Sequence, residues 1–503
     1  MVLAIVNNDF HYEMEKLSMA FFPETKINVI KLNQLSTSDI KDYTAEDEEI
    51  VIVELKLLPE PRVFVEYQNS KTGLSYAYDA SEKEIDVNGD IELLAARVLY
   101  VVLSNVTGIS PSWGVLTGIR PSKLMHKFMH ELSEEQAIDY FENKFLVSPQ
   151  KTKLSLNVAK AEQKIMATSR PESFSLYVSI PFCPGRCSYC SFVSSAVNTP
   201  SAQKIIPIYF ENLLKEIEYS AELAKKCGIK MKSAYIGGGT PSTLNAEQID
   251  RLLKTIHSSF DMSDCTEFTF EAGRPDTITR EKLIAIRENG IDRISINPQT
   301  MSDSVLAAVG RKHTSQQIYD AYKEARDLGF KNINMDLIAG LPTDTTEGFE
   351  DSVKKVLDLD PECITVHTLA YKRSSDLSLD GGLFAHGKAT AIMVDTANRL
   401  LDQHGYIPYY MYRQARSVGN LENVGFCKPS FESTYNIYMM EECHSILACG
   451  AGAVTKLKEP EGPNIERIFN FKYPYEYNNR FDEILSRKES ILDFYARRGY
   501  GRI

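Results

Sequence analysis

The first 80 residues contain five short runs in which hydrophobic and polar positions alternate. A period of two residues is typical of β-strands, and turn-forming residues separate the runs. The predicted strands cover 2–6, 27–32, 49–58, 62–67 and 74–78. From Asp90 the apolar positions recur at helical spacing, and further helices are predicted over 122–131, 133–145 and 150–168. Residues 1–170 are therefore predicted to form an α+β amino-terminal domain.

From residue 175 the pattern changes to apolar strands that alternate with amphipathic helices. Strands are predicted at 175–181, 233–237, 267–271, 293–297, 332–338 and 363–369. Helices are predicted between them at 205–227, 246–259, 279–289, 302–328 and 346–358. Six consecutive βα units predict an α/β fold with a parallel sheet, and such sheets place their active sites at the carboxyl ends of the strands.

Composition limits the classes of function. The chain has 503 residues, 43% of them hydrophobic, which is enough for two or three domains with their own cores. The amino terminus lacks the pattern of a signal peptide and no stretch is long and apolar enough to span a membrane, so we expect a cytoplasmic protein with no membrane insertion. A formal net charge of -12 argues against nucleic-acid binding.

Cysteine spacing indicates the chemistry. Three of the nine cysteines, Cys183, Cys187 and Cys190, have the spacing C-x3-C-x2-C just after the first predicted strand of the βα series. Three thiolates on one loop can hold a [4Fe-4S] cluster and leave one iron open for a small molecule. A structural zinc site is the alternative, but it needs four ligands, and no further cysteine, histidine or aspartate lies close by. The other six cysteines are scattered, as expected in a reducing compartment.

Further motifs follow the later strands in a fixed order. They are Gly237-Gly238-Gly239-Thr240-Pro241, Asn297-Pro298-Gln299-Thr300, Gly310-Arg311-Lys312-His313 and Asp336-Leu337-Ile338-Ala339-Gly340-Leu341-Pro342. With the cysteine motif, residues 171 to about 455 resemble the radical S-adenosylmethionine (SAM) superfamily. Within it they resemble the oxygen-independent coproporphyrinogen III dehydrogenase group, which also includes heme chaperones. The resemblance implies a partial TIM-type (β/α)6 barrel over 171–375 and a smaller carboxyl-terminal extension over 376–503 that covers the active site.

The resemblance also implies two cofactors, the [4Fe-4S] cluster and S-adenosylmethionine. Gly238, Gly239 and Thr240 match the motif that meets the methionine amino group, and Arg311 matches the residue that binds its carboxylate. Glu271, Gln299 and Asp336 match positions that contact the ribose and the sulfonium region. Tyr177, Tyr189 and Ala370 match aromatic and backbone contacts to the cofactor. Each of these residues has an ordinary alternative role in core packing, capping or ion pairing.

Two departures from the family separate this chain from its best-known branches. The porphyrinogen-forming enzymes carry a fourth cysteine at the position of Phe192. The lack of that cysteine in this chain resembles the heme chaperones. The heme motif His-Asn-x-x-Tyr-Trp of the chaperones is absent from the matching region, 419–426. What remains resembles a third, coproporphyrinogen dehydrogenase-like branch with an extra amino-terminal domain.

The expected activity is the decarboxylation of coproporphyrinogen III to protoporphyrinogen IX without oxygen, with a reductant such as flavodoxin or ferredoxin. Heme binding and delivery, or radical chemistry on another substrate, are the alternatives. Candidate cations for the substrate carboxylates are Arg274, Lys372, Arg373, Arg413 and Arg416, and for each of them a solvated surface charge is the alternative. The tract 409–413 is either an apolar wall for the macrocycle or an added strand.

Overall fold

The computed structural model describes residues 1–33, 48–192, 194–291, 293–370, 382–414 and 416–499, and of residues 382–385 it describes the backbone only. The chain divides into two compact units. The first comprises Met1–Ala159 with Gly381–Lys388 and Tyr412–Leu421, and the second comprises the remaining residues. The domain boundaries expected near residues 170 and 375 stay predictions, since the first unit also takes in two later segments.

The first unit is built on a five-stranded sheet. Its strands are β1 (Val2–Val6), β2 (Asn28–Leu32), β3 (Glu49–Lys56), β4 (Arg62–Asn69) and β5 (Ser75–Ser81). The spatial order is β2-β1-β3-β4-β5, in which β2, β1 and β3 are parallel and β4 and β5 antiparallel. All five strands predicted here are present. Leu3, Ile5, Val51 and Val53 face a core that they share with two helices.

Helices occupy most of the remaining chain up to residue 170. They span His11–Phe21, Ile91–Thr107, Pro121–Glu131, Glu134–Asp139 and Pro149–Met166, with a π-helical turn at Tyr140–Lys144. Asp90 caps the second of these helices by accepting a hydrogen bond from Leu93 N (2.9 Å). The helix His11–Phe21 was not predicted, although its buried Met14, Leu17 and Phe21 have helical spacing.

The second unit contains an eleven-stranded sheet. Its strands are β6 (Ser173–Ile180), β9 (Lys230–Gly238), β10 (Glu267–Gly273), β11 (Arg293–Ile296), β12 (Asn332–Ala339), β13 (Cys363–Thr368), β14 (Ile407–Arg413), β15 (Glu422–Cys427), β16 (Ser445–Cys449), β17 (Val454–Lys458) and β18 (Ile465–Phe469). A separate pair of two-residue strands is β7 (Phe182–Cys183) and β8 (Ser195–Ala196). The order of the large sheet is β14-β15-β13-β12-β11-β10-β9-β6-β16-β17-β18.

Six neighbouring strands of this sheet, β6 and β9 to β13, are parallel and adjoin in chain order. They are the six strands predicted from the sequence, and the expected α/β fold with a parallel sheet is confirmed. The residues after β13 add strands to both edges: β15 pairs antiparallel with β13, and β16 pairs parallel with β6. The tract 409–413 lies in the edge strand β14, so the added-strand alternative is the one that the structure shows.

Helices connect the parallel strands. They span Pro200–Cys227, Ala246–Ser259, Arg280–Glu288, Asp303–Ala308, Ser315–Asp327 and Thr346–Leu359, and later helices span Gly382–Gln403, Thr434–Glu441, Pro474–Asn479, Phe481–Lys488 and Ser490–Ala496. The single helix predicted at 302–328 is wrong. Gly310 adopts a φ of 76°, which ends the first of two helices, and Thr314 caps the second. This break leaves Arg311 in the connection between them.

No helix within the described residues is both long and apolar enough to cross a membrane.

Candidate functional site

The three clustered cysteines follow β6 at the carboxyl edge of the parallel strands, in the segment 181–192, here called the cysteine loop. Cys183 lies in β7, and the turn from Cys187 to Cys190 is closed by the hydrogen bond from Cys190 N to Cys187 O (3.1 Å). Ser188 N donates to Val309 O (3.1 Å), which ties the loop to the segment before Arg311. Burial raises the pKa of the Cys190 thiol, and the nearby Cys187 and Cys183 thiols act in the same direction. The structure thus brings the three thiols into one neighbourhood.

The glycine motif after β9 packs directly on this loop. Thr240 N donates to Phe182 O (2.8 Å), and Thr240 Oγ1 donates to Cys183 Sγ (3.5 Å). A Cβ atom on Gly239 would lie 2.6 Å from Phe182 O and 3.0 Å from Cys183 Sγ, and one on Gly238 would lie 3.0 Å from Ile180 N. Side chains are therefore excluded from the turn by the backbone of β6 and β7. The cofactor contacts predicted for Gly238, Gly239 and Thr240 stay predictions.

Glu271, in β10, lies among polar groups that point from neighbouring strands. Tyr235 OH donates to its Oε2 (3.3 Å) and Asn297 Nδ2 donates to its Oε1 (3.4 Å). Burial raises the pKa of Glu271 to about 8, and the charge of Asp336 adds to this effect. At neutral pH Glu271 is therefore largely protonated and able to donate a hydrogen bond.

Asp336, in β12, has the opposite protonation preference. Asn334 Nδ2 donates to its Oδ1 (2.8 Å), and His367 Nε2 lies 3.7 Å from its Oδ2. Burial by itself would raise the pKa of Asp336, but these polar neighbours hold it below its ordinary value. The site thus pairs one neutral carboxyl group with one carboxylate, a donor beside an acceptor.

Gln299 is bonded to the backbone of β12, and Arg311 links the cysteine loop to the end of β11. Gln299 N donates to Asp336 O (2.8 Å), and its own O accepts from Ile338 N (2.9 Å). Arg311 is 5% exposed; its Nη1 donates to Tyr189 OH (3.1 Å) and its Nη2 to Asn297 O (3.1 Å). The guanidinium is therefore fixed between the cysteine loop and the end of β11.

Several buried polar atoms of this site have no hydrogen-bond partner among the described residues. They are Gln299 Oε1, Asn297 Oδ1, Arg311 Nε and Ser188 Oγ. Buried polar groups in native proteins are normally satisfied, so a cluster of unsatisfied ones marks a candidate site for a polar ligand. With three thiols of the C-x3-C-x2-C spacing beside them, these residues fit a cluster and a zwitterionic cofactor.

The remaining predicted contacts differ in their surroundings. Tyr177 is partly buried and stacks on Tyr235 (ring centroids 6.4 Å apart) and on Tyr435 (6.5 Å), as the core-packing alternative expects. Tyr189 OH accepts the hydrogen bond from Arg311 Nη1. Ala370 is partly buried just beyond β13. The roles of all three toward a cofactor stay predictions.

Tyr235, Asn297 and His367 are polar groups of the site that the sequence reasoning did not assign. Asn297 lies in the same motif as Gln299, and Tyr235 two residues before the glycine motif. The alternation of side chains along a strand was the available signal, because residues two apart point to the same face. Applied to β9 and to the motif after β11, this two-residue alternation would have selected Tyr235 and Asn297.

Two of the candidate cations for substrate carboxylates have partners within the protein. Arg274 forms a two-point ion pair with Asp276, and Arg413 donates to Leu116 O (2.7 Å) and Gly118 O (3.1 Å) within the first unit. Arg416 is exposed in the first unit. Lys372 and Arg373 lie outside the described residues. Arg274 and Arg413 are buried, so neither is a solvated surface charge, and their substrate roles stay predictions.

The class of protein follows from this fold and site together with the comparison with protein families. Residues 177–356 match the model of the radical SAM superfamily, and the chain belongs to that superfamily. Its cofactors are a [4Fe-4S] cluster and S-adenosylmethionine. Within the superfamily, the chain belongs to the group of oxygen-independent coproporphyrinogen III oxidase-like proteins.

Two relatives show how far the similarity extends. The oxygen-independent coproporphyrinogen-III oxidase-like protein HemZ of Bacillus subtilis is 37% identical over 427 residues, which are 83% of this chain and 84% of HemZ. The heme chaperone HemW of Lactococcus lactis is 30% identical over 63% of this chain and 79% of its own length. Among solved structures, the coproporphyrinogen III oxidase HemN of Escherichia coli has a TM-score of 0.48 and 25% sequence identity, over 65% of this chain and 72% of HemN.

Proposed function

We propose that this protein is a radical SAM enzyme that decarboxylates coproporphyrinogen III to protoporphyrinogen IX without oxygen. The similarity to HemZ, whose name describes it as coproporphyrinogen-III oxidase-like, carries the choice of substrate because it extends over most of both chains. The cluster of unsatisfied polar atoms beside three cysteine thiols supports the proposal that the cofactor site is functional.

Each part of the cofactor site has a proposed role. Cys183, Cys187 and Cys190 would hold the cluster, and Arg311 would bind the carboxylate of S-adenosylmethionine with the guanidinium nitrogen that lacks a described partner. The protonated Glu271 and the ionised Asp336 offer a donor and acceptors to its polar groups. When bound, the two cofactors supply a carbon-centred radical that removes a hydrogen atom from the substrate.

The net reaction sets what the substrate site must accommodate. Each of two propionates loses one hydrogen atom, carbon dioxide and one electron, and a vinyl group remains. The hydrogen atom goes to the radical and the electron to an acceptor. A reductant such as flavodoxin or ferredoxin would supply the cluster with electrons, and a reducing cytoplasm would suit the cluster. The buried walls around Arg311 and Glu271 would keep water from the reacting groups.

Heme delivery is the second candidate function. The similarity to HemW and Phe192 at the position of a fourth cysteine favour it. The region that matches the heme motif weakens it. Residues Glu422–Cys427 form the fully buried strand β15, and Asn423 Oδ1 there accepts a hydrogen bond from Thr368 N (2.9 Å). This buried strand therefore lacks the histidine of the chaperones' heme motif.

Anaerobic turnover of the reconstituted protein tests the proposal. The protein is incubated with S-adenosylmethionine, dithionite and coproporphyrinogen III, and the products are separated by chromatography with mass detection. Wild type and Cys265→Ser should form 5'-deoxyadenosine, harderoporphyrinogen and protoporphyrinogen. Cys187→Ser should form none of them and should lack the iron-sulfur absorbance. Cys265 is the matched control because it lies outside the cysteine loop, just before the amino end of β10.

Two outcomes would contradict the decarboxylase function. Stoichiometric heme binding without either porphyrinogen product would establish the carrier function. Formation of 5'-deoxyadenosine without porphyrin products would place the substrate in another class.

A further inference from the structure

Arg274 is a buried arginine at the end of β10 whose fork is fully engaged. It is 5% exposed, its Nε donates to Asp276 Oδ1 (3.0 Å) and its Nη2 to Asp276 Oδ2 (2.8 Å). A two-point contact of this kind fixes the plane of the guanidinium as well as its position. The charge of Arg274 therefore has one defined location in the fold.

The third nitrogen of Arg274 faces the cysteine loop. Its Nη1 donates to Gly185 O (3.3 Å) and lies 3.9 Å from Cys187 Sγ, where it is oriented to donate. Cys187 is itself buried. A guanidinium thus stands beside one of the three thiols proposed to ligate the cluster, in a place where little water can screen the charge.

A third side chain, that of His313, lies close to Asp276 without a hydrogen bond to it. Its Nδ1 lies 3.6 Å from Asp276 Oδ1, and the ring is buried. The two hydrogen bonds from Arg274 are therefore the contacts that orient Asp276 relative to the arginine. His313 belongs to the motif that also carries Arg311.

We propose that Arg274, oriented by Asp276, is a positioning residue that tunes the iron-sulfur cluster. It holds the Gly185–Cys187 part of the cysteine loop and stabilises the reduced cluster, the form with more negative charge. Hydrogen bonds to the ligating sulfurs and the local net charge are known determinants of cluster potential. The proposal rests on the cluster ligands given under the proposed function and is independent of the porphyrinogen substrate.

The test compares the midpoint potential of the reconstituted cluster in four variants of the full-length protein. Arg274→Gln removes the charge, Arg274→Lys keeps it without the fork, and Asp276→Asn removes the counter-charge. Arg280→Gln is the matched control, because Arg280 is an exposed arginine paired with Glu324. Iron and sulfide content is measured first, and the potential is then followed by electron paramagnetic resonance during a redox titration.

Removal of the Arg274 charge and removal of the Asp276 charge should shift the midpoint potential of the cluster in opposite directions. Arg274→Gln should move the midpoint to a more negative potential and Asp276→Asn to a more positive one. Arg274→Lys should lie between wild type and Arg274→Gln, and Arg280→Gln should match wild type. A purely structural role would not produce opposite signs.

An unchanged potential in Arg274→Gln with full iron content would overturn the proposal, as would shifts of the same sign in Arg274→Gln and Asp276→Asn. If Arg274→Gln assembles no cluster, the midpoint potential of Asp276→Asn tests the proposal. An unchanged or more negative midpoint potential in Asp276→Asn would reject the tuning role. Absence of porphyrinogen turnover by wild type would leave these potentials measurable, so failure of the proposed function is distinguishable from failure of this inference.

Discussion

Glu271 and Asp336 show how environment separates two like residues in one site. Both are carboxyl groups of barrel strands, yet burial and the charge of Asp336 raise the pKa of Glu271 to about 8. Asp336 receives hydrogen bonds and the proximity of His367, so its pKa stays below the ordinary value. Because one carboxyl group is neutral, two acids can lie in one pocket without full charge repulsion.

The raised pKa of Glu271 predicts a pH dependence of stability in the cofactor-free protein. The folded state keeps the proton up to about pH 8, whereas an unfolded glutamate loses it near pH 4.5. This contribution is fully present below about pH 4.5 and is lost as the pH rises through about 8. Relative to Glu271→Gln, wild type should lose up to about 1.4 kcal/mol of unfolding free energy per pH unit within that window.

Urea unfolding at several pH values between 5 and 8 measures this difference. The exposed Glu288→Gln serves as the control and should follow wild type. A difference between wild type and Glu271→Gln that stays constant with pH would show that Glu271 titrates normally.

Arg311 predicts a separable effect on cofactor affinity. Its Nη1 and Nη2 are bonded to Tyr189 and Asn297, and its Nε, which has no hydrogen-bond partner among the described residues, is the nitrogen proposed to bind the cofactor. Arg311→Ala should weaken binding of S-adenosylmethionine by about 1 to 3 kcal/mol, the scale of a lost charged hydrogen bond, while the cluster persists. Isothermal titration of the reconstituted protein measures the affinity, with Arg280→Ala as control. Equal affinity in Arg311→Ala and wild type would assign Arg311 a structural role only.

At the scale of elements, the glycine turn after β9 is shaped by the strand beside it. Gly238 has a φ of 113°, and Cβ atoms on Gly238 or Gly239 would meet the backbone of β6 or β7. The same glycines were assigned from the sequence to the cofactor. Both roles can hold, because a turn without side chains lets two backbones approach closely and exposes peptide groups at the strand end.

This packing predicts unequal effects of two alanine substitutions. Gly239→Ala should destabilise the protein by about 1 to 3 kcal/mol and reduce cluster incorporation, because its methyl group would meet Phe182 O and Cys183 Sγ. Gly185→Ala, in the cysteine loop, should be tolerated, since no atom lies within 4 Å of the added Cβ. Thermal unfolding and iron content are the measurements. Equal stability of the two variants would show that the turn after β9 relaxes freely.

At the scale of the whole molecule, the carboxyl-terminal residues are tied to the barrel by a buried ion pair. Lys488 Nζ lies 3.1 Å from Glu216 Oε1, and both side chains are fully buried. Glu216 also accepts from Gly450 N (2.8 Å), Tyr477 OH (2.6 Å) and Asn470 Nδ2 (2.7 Å). The network joins the helix Pro200–Cys227 to the segment after β16 and to two carboxyl-terminal helices.

Removal of one charge should be more harmful than removal of both. Lys488→Met leaves Glu216 buried without its cation and should lower the free energy of unfolding by about 3 to 5 kcal/mol. The double variant Glu216→Gln with Lys488→Met should recover part of this loss, because no buried charge remains. Urea unfolding of the three proteins tests the prediction. A double variant as unstable as Lys488→Met would assign the loss to packing.

Most features that depend on neighbouring residues were predicted from the sequence, whereas features that depend on contacts in the folded chain were not. The six barrel strands were predicted because each is an apolar run with turn residues at its ends, a local property. The helix at 302–328 was wrong because Gly310 and Thr314 end one helix and begin another, although its apolar spacing continues across them. Arg274 was considered as a solvated surface charge or a substrate ligand, because the sequence does not show that its side chain is buried and bound to Asp276.

Local signals by themselves determined the α/β class, the order of the six βα units and the cysteine motif. Periodicity and motif spacing are properties of short segments, so they can be read without a structure. Only the tertiary structure decided which groups meet: Glu271 with Tyr235 and Asn297, Arg311 with Tyr189, and Arg274 with Cys187. The members of these pairs are far apart in the sequence, and their contacts depend on the orientation of their side chains. The protonation of the carboxyl groups depends on burial, which arises only when the strands pack together.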